Sequence, residues 1–265
     1  MKFKDKVVLV TGASSGIGKS FALKVAKDNA KIILVSRSQD KLEEVKQEIK
    51  KLGSEAYVFA TDVSIQENVR KLFEYIKENF QKLDAVFNNA GIGFVGEIWE
   101  MKDEEIINTI NLNVIGMITV TKYAATIMKQ QNSGHIVMTS SVAGLVTLPQ
   151  WSVYVASKWA ITGFADCIRP ELEKYNINIT TIHPAGIKTS FFDKQKTNID
   201  ESKMGKLLDP SYVTEIIYNS FFTKSRQVII PKSFKLFVVI KKLFPAFYDF
   251  LIKKQIKNIN FKVTN

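Results

Sequence analysis

A tyrosine and a lysine stand four residues apart at the start of an apolar-periodic segment in the middle of the chain. Tyr154 and Lys158 therefore share one face of a predicted helix, with an ammonium group beside a phenol. A tyrosine titrates near pH ~10, too high for efficient proton transfer. A cation about 4 Å away, at an effective dielectric of about 20, favours the phenolate by roughly 4 kcal/mol, or about 3 pH units. The pair is predicted to make a general acid and base, although the same spacing occurs in ordinary amphipathic helices.

A glycine-rich turn lies near the start of the chain. Residues 6–10 form a short apolar run, followed by Thr11-Gly12-Ala13-Ser14-Ser15-Gly16-Ile17-Gly18 and a helical pattern. Such glycines let the backbone approach a phosphate closely, and the N-terminus of the next helix offers unpaired N–H groups. A strand, a glycine turn and a helix in this order predict a dinucleotide-binding site.

The residues after the second and third predicted strands bear on the choice of cofactor. The second strand, 31–35, ends in Ser36-Arg37-Ser38 rather than in an acid. A guanidinium flanked by hydroxyls suits the 2′-phosphate of NADP, although a loop arginine in solvent is the plainer interpretation. Asp62 follows the third strand, 56–60. Its carboxylate either binds the adenine amino group or caps the next helix.

Strands and helices alternate along the rest of the chain. Further strands are predicted at 85–87, 135–139, 178–182 and 227–230, and helices at 40–52, 65–80, 106–130, 154–175 and 210–222. This alternation predicts an α/β fold of one domain. We expect a Rossmann-type doubly wound parallel sheet of about seven strands with helices on both faces and ligands at the carboxyl ends of the strands.

Three motifs in their order and spacing resemble the short-chain dehydrogenase/reductase family over residues 5–231. They are Thr11 to Gly18, Asn88-Asn89-Ala90-Gly91, and the Tyr154 and Lys158 pair. Asn113 and Ser141 fall where that family has its remaining active-site residues. The resemblance implies an NADP(H)-dependent oxidoreductase that interconverts a carbonyl and a secondary alcohol. A redox-sensing nucleotide-binding protein is the alternative from another class.

The resemblance also implies a role for each site residue. Tyr154 would exchange the proton, Ser141 would hold the substrate oxygen and Lys158 would bind the nicotinamide ribose. Asn113 would hold a relay water through its side chain or a kinked backbone, or is a buried amide. The implied cofactor contacts are Gly12, Ser14, Ser15, Gly16, Ile17, Gly18, Ser36, Arg37, Asp62, Val63, Asn89, Ala90, Gly91, Tyr154, Lys158, Pro184, Ile187 and Thr189. The sequence departs from the family's Pro-Gly at Pro184-Ala185.

A polar segment at 190–208 resembles the family's mobile lid over the substrate. Phe191 and Phe192 at its start suggest an apolar substrate, although both are equally consistent with core packing. The same resemblance implies a homodimer or homotetramer formed through the helices at 106–130 and 154–175.

Composition limits the other classes of function. One cysteine and two histidines in 265 residues give neither a disulfide framework nor a metal site. Of the net charge of +11, the last 34 residues hold +7, with eight lysines against Asp249. That distribution argues against nucleic-acid binding. The apolar run near the amino terminus is too short for a signal peptide, and no window could span a bilayer. We therefore expect a cytoplasmic protein.

The carboxyl-terminal segment 232–265 is predicted to be a basic, aromatic amphipathic tail appended to a dehydrogenase domain at 1–231. Apolar residues recur near helical spacing through 232–257 between flanking lysines, and Pro245 should bend or break the pattern. Such a segment is typical of a helix at a membrane interface. A cover over the substrate pocket and a subunit contact remain equally open. Each interpretation favours a lipophilic substrate.

Overall fold

The computed structural model describes residues 2–189, 191 and 207–256. Seven strands lie within them: β1 Val7–Thr11, β2 Lys31–Ser36, β3 Glu55–Ala60, β4 Ala85–Asn88, β5 Gly134–Thr139, β6 Ile177–Pro184 and β7 Gln227–Ile230. They run parallel in one sheet in the order β3-β2-β1-β4-β5-β6-β7. The order reverses at β1 and β4, so the carboxyl ends of these two strands form the switch point of a doubly wound sheet.

Helices connect the strands and cover the sheet. Their bounds are α1 Gly16–Ala26, α2 Gln39–Lys51, α3 Gln66–Asn79, α4 Asp103–Ile110, α5 Met117–Gln130, α6 Ser152–Glu173, α7 Pro210–Ser220, α8 Phe234–Leu243 and α9 Pro245–Ile256. The predicted α/β fold with its Rossmann-type sheet of seven strands is confirmed. No described helix has both the length and the apolar character needed to cross a bilayer.

Alternate side chains of β1 enter two different cores. Val8 and Val10 pack with Phe21 on the side of α1, α2 and α7. Val7 and Leu9 pack on the opposite side, against α3, α5 and α6. Because both faces of the sheet are buried at its centre, β1 and β4 are apolar up to Thr11 and Asn88, the polar residues at their carboxyl ends.

The helix predicted at 106–130 is not continuous, and this expectation was wrong. A π-helical segment, Asn111–Gly116, joins α4 to α5. Its local cause is a close approach to the preceding loops: a Cβ on Gly116 would lie 2.6 Å from the carbonyl oxygen of Val63. On the same segment, the Asn113 side chain exchanges two hydrogen bonds with the backbone of Ile92. A 3.6-residue period does not reveal such a bulge, since its cause lies far away in sequence.

The carboxyl-terminal segment forms two helices. As predicted, the pattern breaks at Pro245, which begins α9 directly after Phe244. Val238 of α8 and Tyr248 of α9 are buried with Val142 and Val146. The segment therefore packs on the body of the protein beside a short 3-10 turn, Val142–Gly144.

Candidate active site

A cleft of about 400 Å³ lies at the carboxyl ends of the strands. It is lined by the turn after β1, the ends of β2 and β3, the loop after β4, the segment after β5, the start of α6 and the loop after β6. This is where a doubly wound sheet places its ligands.

The turn after β1 has the backbone geometry that its glycines predict. Gly12 and Gly16 have φ values of +68° and +56°, in the left-handed region that disfavours other residues. A Cβ on Gly16 would come within 3.5 Å of the Thr189 side chain. The missing Cβ thus keeps open the space between the start of α1 and the loop after β6. This space fits a pyrophosphate at a helix N-terminus.

Thr11 ties this turn to the loop after β4. Its hydroxyl accepts hydrogen bonds from the backbone N–H groups of Asn89 and Ala90, at 2.8 and 3.0 Å, and donates to the Asn88 side chain at 3.2 Å. Asn88 in turn donates to the Met117 carbonyl at 2.9 Å. These bonds hold the Asn88 to Gly91 motif against the turn after β1 on one side of the cleft.

Polar and charged groups lie at the end of the cleft that is formed by the carboxyl end of β2. The Ser36 hydroxyl oxygen is buried and has no hydrogen-bond partner among the described residues. Arg37 is exposed at its side chain and lies 3.9 Å from an Asp62 carboxylate oxygen. Lys41, in the first turn of α2, lines the same end. Two cations and a free hydroxyl fit a phosphate-bearing ribose.

Asp62 also holds the turn before α3. One carboxylate oxygen accepts from the Ser64 backbone N–H at 2.9 Å and from the Ser64 hydroxyl at 2.7 Å. Ser64 precedes α3, whose N-cap residue Ile65 has no side-chain hydrogen bond, so Asp62 holds the turn and does not cap the helix. The residue also lines the cleft, so the adenine contact stays a prediction.

Tyr154 projects from the first turn of α6 into an apolar corner of the cleft. Its ring lies 5.4 Å from Trp151 and 5.9 Å from Phe191, measured between centroids. A Cβ on Gly93 would lie only 2.7 Å from the ring, so a glycine is needed there. The phenol is hydrogen-bonded with Ser141.

Lys158 is buried one turn further along α6. Its amine lies 5.5 Å from the centroid of the Tyr154 ring and donates a 2.9 Å hydrogen bond to the Thr139 carbonyl at the end of β5. A Cβ on Gly91 would lie 3.4 Å from the same nitrogen. Burial lowers the pKa of Lys158 from 10.5 to about 8.

The predicted lowering of the tyrosine pKa is wrong for this geometry. Burial raises the pKa of Tyr154 to about 12, and the Ser141 hydrogen bond opposes this only in part. Burial of the phenol is the larger effect, and the Lys158 amine makes its hydrogen bond to the Thr139 carbonyl. Tyr154 is consequently protonated at neutral pH, in the form that donates a proton.

Ser141 is held from several directions at the carboxyl end of β5. Its hydroxyl accepts from the Ala143 N–H at 3.1 Å and donates a long 3.4 Å bond to the Pro184 carbonyl. Ring nitrogen Nδ1 of the buried His183 lies 3.0 Å from the Ser141 carbonyl, to which it must donate. Burial lowers the pKa of His183 to about 4, so the ring is neutral. Ser140 donates to the Lys158 carbonyl at 3.0 Å, in agreement with the expected backbone bond.

Asn113 lies behind the wall of the cleft, fully buried on the π-helical segment. Its amide accepts from the Ile92 N–H at 2.8 Å and donates to the Ile92 carbonyl at 2.7 Å and to Ser157 at 3.0 Å. The side chain is therefore occupied with the loop after β4. Of the three interpretations, the buried amide is the one that these bonds show for the side chain, and a relay through the irregular backbone stays a prediction.

Most of the predicted site residues meet in this one cleft. Those that line it are Gly12, Ser14, Ser15, Gly16, Ile17, Ser36, Arg37, Asp62, Val63, Asn89, Ala90, Gly91, Ser141, Tyr154, Lys158, Pro184, Ile187 and Thr189. Gly18 and Asn113 do not. A Cβ on Gly18 would lie 2.2 Å from the Gly12 carbonyl oxygen, so this glycine packs α1 against the turn.

Sequence reasoning missed the apolar wall beside Tyr154. Phe94, Leu148 and Trp151 line it, from two segments with no regular pattern. It also missed Lys41 and His183, whose positions relative to the cleft depend on the fold. Phe191 lines the cleft as expected, whereas Phe192 and the rest of the predicted lid up to residue 206 lie outside the described residues.

The chain matches the family model of the short chain dehydrogenases over residues 6–200. It is 40% identical to an uncharacterized oxidoreductase, Lmo0432, of Listeria monocytogenes, over 73% of this chain and 79% of that protein. It is 29% identical to mouse estradiol 17-beta-dehydrogenase 11, over 97% of this chain and 85% of that protein. The chain therefore belongs to the short-chain dehydrogenase family and is an oxidoreductase of the type that acts on alcohols and carbonyls.

Solved structures agree with this assignment. An alcohol dehydrogenase from Thermococcus sibiricus complexed with 5-hydroxy-NADP is 25% identical, with a TM-score of 0.77 over 86% of this chain and 96% of its own. An NAD+-bound xylitol dehydrogenase is 26% identical, with a TM-score of 0.79 over 87% of this chain and 99% of its own. One holds a derivative of NADP and the other holds NAD, so the family alone does not decide the cofactor.

Proposed function

We propose that this protein is an NADP(H)-dependent oxidoreductase that interconverts a ketone or aldehyde and an alcohol on a lipophilic substrate. The observation that carries the proposal is the meeting of Tyr154, Ser141 and Lys158 in one cleft. A site with no catalytic task would not need a phenol, a hydroxyl and a buried amine together.

Each of the three residues has a distinct task in the proposed reaction. A bound nicotinamide cofactor would supply or accept the hydride. Ser141 hydrogen-bonds the substrate oxygen, and Tyr154 gives its proton to that oxygen during reduction. The amine of Lys158, 5.5 Å from the centroid of the tyrosine ring, would bind the nicotinamide ribose and supply positive charge beside the reacting groups. A tyrosine whose pKa burial raises to about 12 suits the reducing direction, because it begins as a proton donor.

The apolar wall supports a lipophilic substrate. Phe94, Leu148, Trp151 and Phe191 line the cleft beside Tyr154. Among the described lining residues, the charged side chains other than Lys158 are Arg37, Lys41 and Asp62, which belong to the opposite end beneath β2 and β3. A carboxylate or phosphate on the reacting part of the substrate would find no partner among them.

A preference for NADP is supported by the groups beneath β2. Arg37 and Lys41 supply positive charge, and the buried Ser36 hydroxyl has no hydrogen-bond partner among the described residues. The family's NAD-binding arrangement, with an acid at the end of the second strand, is absent here because Ser36 and Arg37 occupy that position.

The remaining features of the proposed enzyme concern its setting. We expect it to act in the cytoplasm as a homodimer or homotetramer formed through the helices around 106–130 and 154–175. We propose a division between a dehydrogenase region, 1–231, and a carboxyl-terminal region, 232–265, that contacts a membrane surface. Val142, Val146, Val238 and Tyr248 are buried together in one cluster. The two regions therefore pack as one folded unit and differ only in the task that we propose for each.

The decisive experiment combines a substrate panel with a single hydroxyl deletion. Ketones, aldehydes and alcohols of rising hydrophobicity are tested with NADPH and NADH. We expect the Tyr154→Phe variant to lose about a thousandfold or more in kcat while NADPH fluorescence titration gives an unchanged Kd. The control is Tyr212→Phe, at an exposed tyrosine on α7, which should retain full activity. Normal turnover by Tyr154→Phe would refute the proposed mechanism.

The same panel tests the alternative of a redox sensor. A sensor would bind NADPH and leave it unoxidised with every hydrophobic carbonyl. Oxidation that depends on both the carbonyl and Tyr154 would exclude it.

A further inference from the structure

The two carboxyl-terminal helices expose an unusual amount of apolar surface. Of the fifteen large hydrophobic side chains that are exposed in the described chain, seven lie between residues 236 and 250. They are Leu236, Phe237, Val239, Leu243, Phe244, Phe247 and Phe250, with exposed fractions of 44–65%. Contiguous apolar surface of this kind marks a site of interaction.

These side chains are exposed because α8 and α9 are anchored by their other faces. Val238 and Tyr248 are buried against Val142 and Val146. At about 100° for each helical residue, Leu236 and Leu243 lie roughly 140–160° around α8 from Val238. Phe250 lies about 160° around α9 from Tyr248. The two helices pack on each other, so they present their apolar side chains on one hairpin directed away from the body.

Hydrogen bonds fix the anchored side. The Tyr248 hydroxyl donates to the Thr147 carbonyl at 2.7 Å, and the Lys241 amine donates to the Thr147 hydroxyl at 2.7 Å. The Lys241 amine also lies about 5 Å from two aromatic rings, at 5.3 Å from the centroid of Trp159 and 5.2 Å from that of Tyr248. A hairpin held in this way displays its outer face in a fixed orientation.

The two helices that carry the apolar side chains also carry positive charge. Lys232, Lys235, Lys242, Lys253 and Lys254 are exposed on or beside α8 and α9, and Asp249 is the one acid in the described segment 232–256. Exposed aromatic side chains with lysines on the same two helices match the two layers of an anionic bilayer, in which acyl chains lie beneath negative headgroups. A second protein copy would instead have to meet the same cluster of positive charge, which disfavours a symmetric contact.

We propose that α8 and α9 form a docking hairpin that inserts Leu243, Phe244, Phe247 and Phe250 into the surface of an anionic membrane. The inserted residues include the turn between the helices, so the tip of the hairpin enters first. The flanking lysines bind lipid phosphates. The inference rests on the membrane contact proposed above for the carboxyl-terminal region and is independent of the proposed reaction, because docking requires neither cofactor nor substrate.

The docking hairpin also borders the cleft. A groove of about 410 Å³ lies between α9 and the residues that begin α6, lined by Leu148, Val155, Ile252 and Lys253 among others. Leu148 lines the active-site cleft as well. The docked enzyme would therefore hold this groove, which shares Leu148 with the wall of the cleft, beside the membrane-bound hairpin.

The test is sedimentation of the full chain with vesicles, without cofactor or substrate. We expect the protein to sediment with vesicles that contain phosphatidylglycerol, and much less with pure phosphatidylcholine or at high salt. The double variant Phe247→Ser/Phe250→Ser should lose at least about tenfold in vesicle affinity. The matched control is Leu52→Ser/Ile65→Ser, which removes two exposed apolar side chains from the dehydrogenase region. Its vesicle binding should not change.

Two results would overturn the proposal. The first is wild-type protein that stays in the supernatant with anionic vesicles. If the phenylalanine variants then also dissociate an oligomer in analytical ultracentrifugation, the face is a contact between copies. The second is equal sedimentation of the wild type and the phenylalanine double variant. Circular dichroism and thermal unfolding of each variant verify that the fold is retained, and the carbonyl-reductase assay independently reports on the proposed function.

Discussion

Lys158 is expected to lower the free energy of unfolding, because its charge is buried. Replacing it with methionine measures the size of this effect. The side chain is buried, and its pKa falls from 10.5 to about 8 because burial penalises its charge. Methionine has a similar length and fills the same space without a charge. The Lys158→Met variant should therefore be inactive and yet more stable than the wild type at neutral pH.

The magnitude follows from the change in pKa. A lowering from 10.5 to about 8, at about 1.4 kcal/mol for each pH unit, corresponds to about 3 kcal/mol. The unfolded chain keeps its proton up to about pH 10.5, whereas the folded chain releases it near pH 8. The penalty is thus fully present below pH 8 and disappears as the pH rises from 8 to 10.5. Loss of the hydrogen bond to Thr139 opposes the gain by about 1–2 kcal/mol, which leaves the variant roughly 1–2 kcal/mol more stable at pH 7.

Urea unfolding of both proteins at pH 7 and pH 10.5 isolates the charge effect. The hydrogen bond and the shape of the side chain contribute at both pH values, so they cancel when the two differences are compared. We expect the stability advantage of Lys158→Met to fall by about 2–3 kcal/mol between pH 7 and pH 10.5. The control is Lys71→Met, at an exposed lysine of α3, and its stability relative to the wild type should change little with pH. If the Lys158→Met difference were equally independent of pH, the reasoning about the buried amine would be refuted.

Three further predictions concern the cleft and its supports. The rate of carbonyl reduction should be level below pH 8 and fall above it, because Lys158 loses its proton near its pKa of about 8; a rate that stays level to pH 10 would contradict this. Arg37→Ala should lower the ratio of kcat/KM with NADPH to that with NADH about ten- to a hundredfold by removing a charged partner of the 2′-phosphate, and an unchanged ratio would show that Arg37 is only a surface residue. Gly18→Ala should destabilise the protein by about 3 kcal/mol or more, since its Cβ would lie 2.2 Å from the Gly12 carbonyl oxygen, whereas Gly163→Ala in α6, where a Cβ meets nothing within 4 Å, should raise the melting temperature by the equivalent of about 0.5–1 kcal/mol. Similar melting temperatures for the two alanine variants would contradict the geometry of the turn.

The strands, the glycine turn and the helix that carries Tyr154 and Lys158 were predictable because local signals agree with the fold. The β1 run of apolar residues ends where glycines permit a left-handed turn, and both facts are visible within a dozen residues of sequence. The spacing of four residues placed the phenol and the amine on one face of α6 in the same way.

What the sequence did not reveal depends on contacts between distant segments. The bulge at Asn113 arises from the loop after β4, 21 residues earlier. The hydrogen bond of the Lys158 amine depends on a carbonyl of β5, 19 residues earlier, and the burial that raises the pKa of Tyr154 depends on segments that only the fold brings around the ring. The apolar wall of Phe94, Leu148 and Trp151 is likewise assembled only by the fold. Local periodicity carries no information about any of these.

The hydrogen bonds of the Thr11 hydroxyl set an order in which parts of the fold can form during synthesis. The hydroxyl joins β1 to residues 78 and 79 positions later in the sequence. On one side β1 also pairs with β4, which is synthesised well after it. In a nascent chain, the turn of Gly12 and Gly16 therefore cannot be joined to the loop after β4 until residue 90 has been synthesised. Until then β1 has one unpaired edge, and a pairing between strands so far apart in sequence forms slowly.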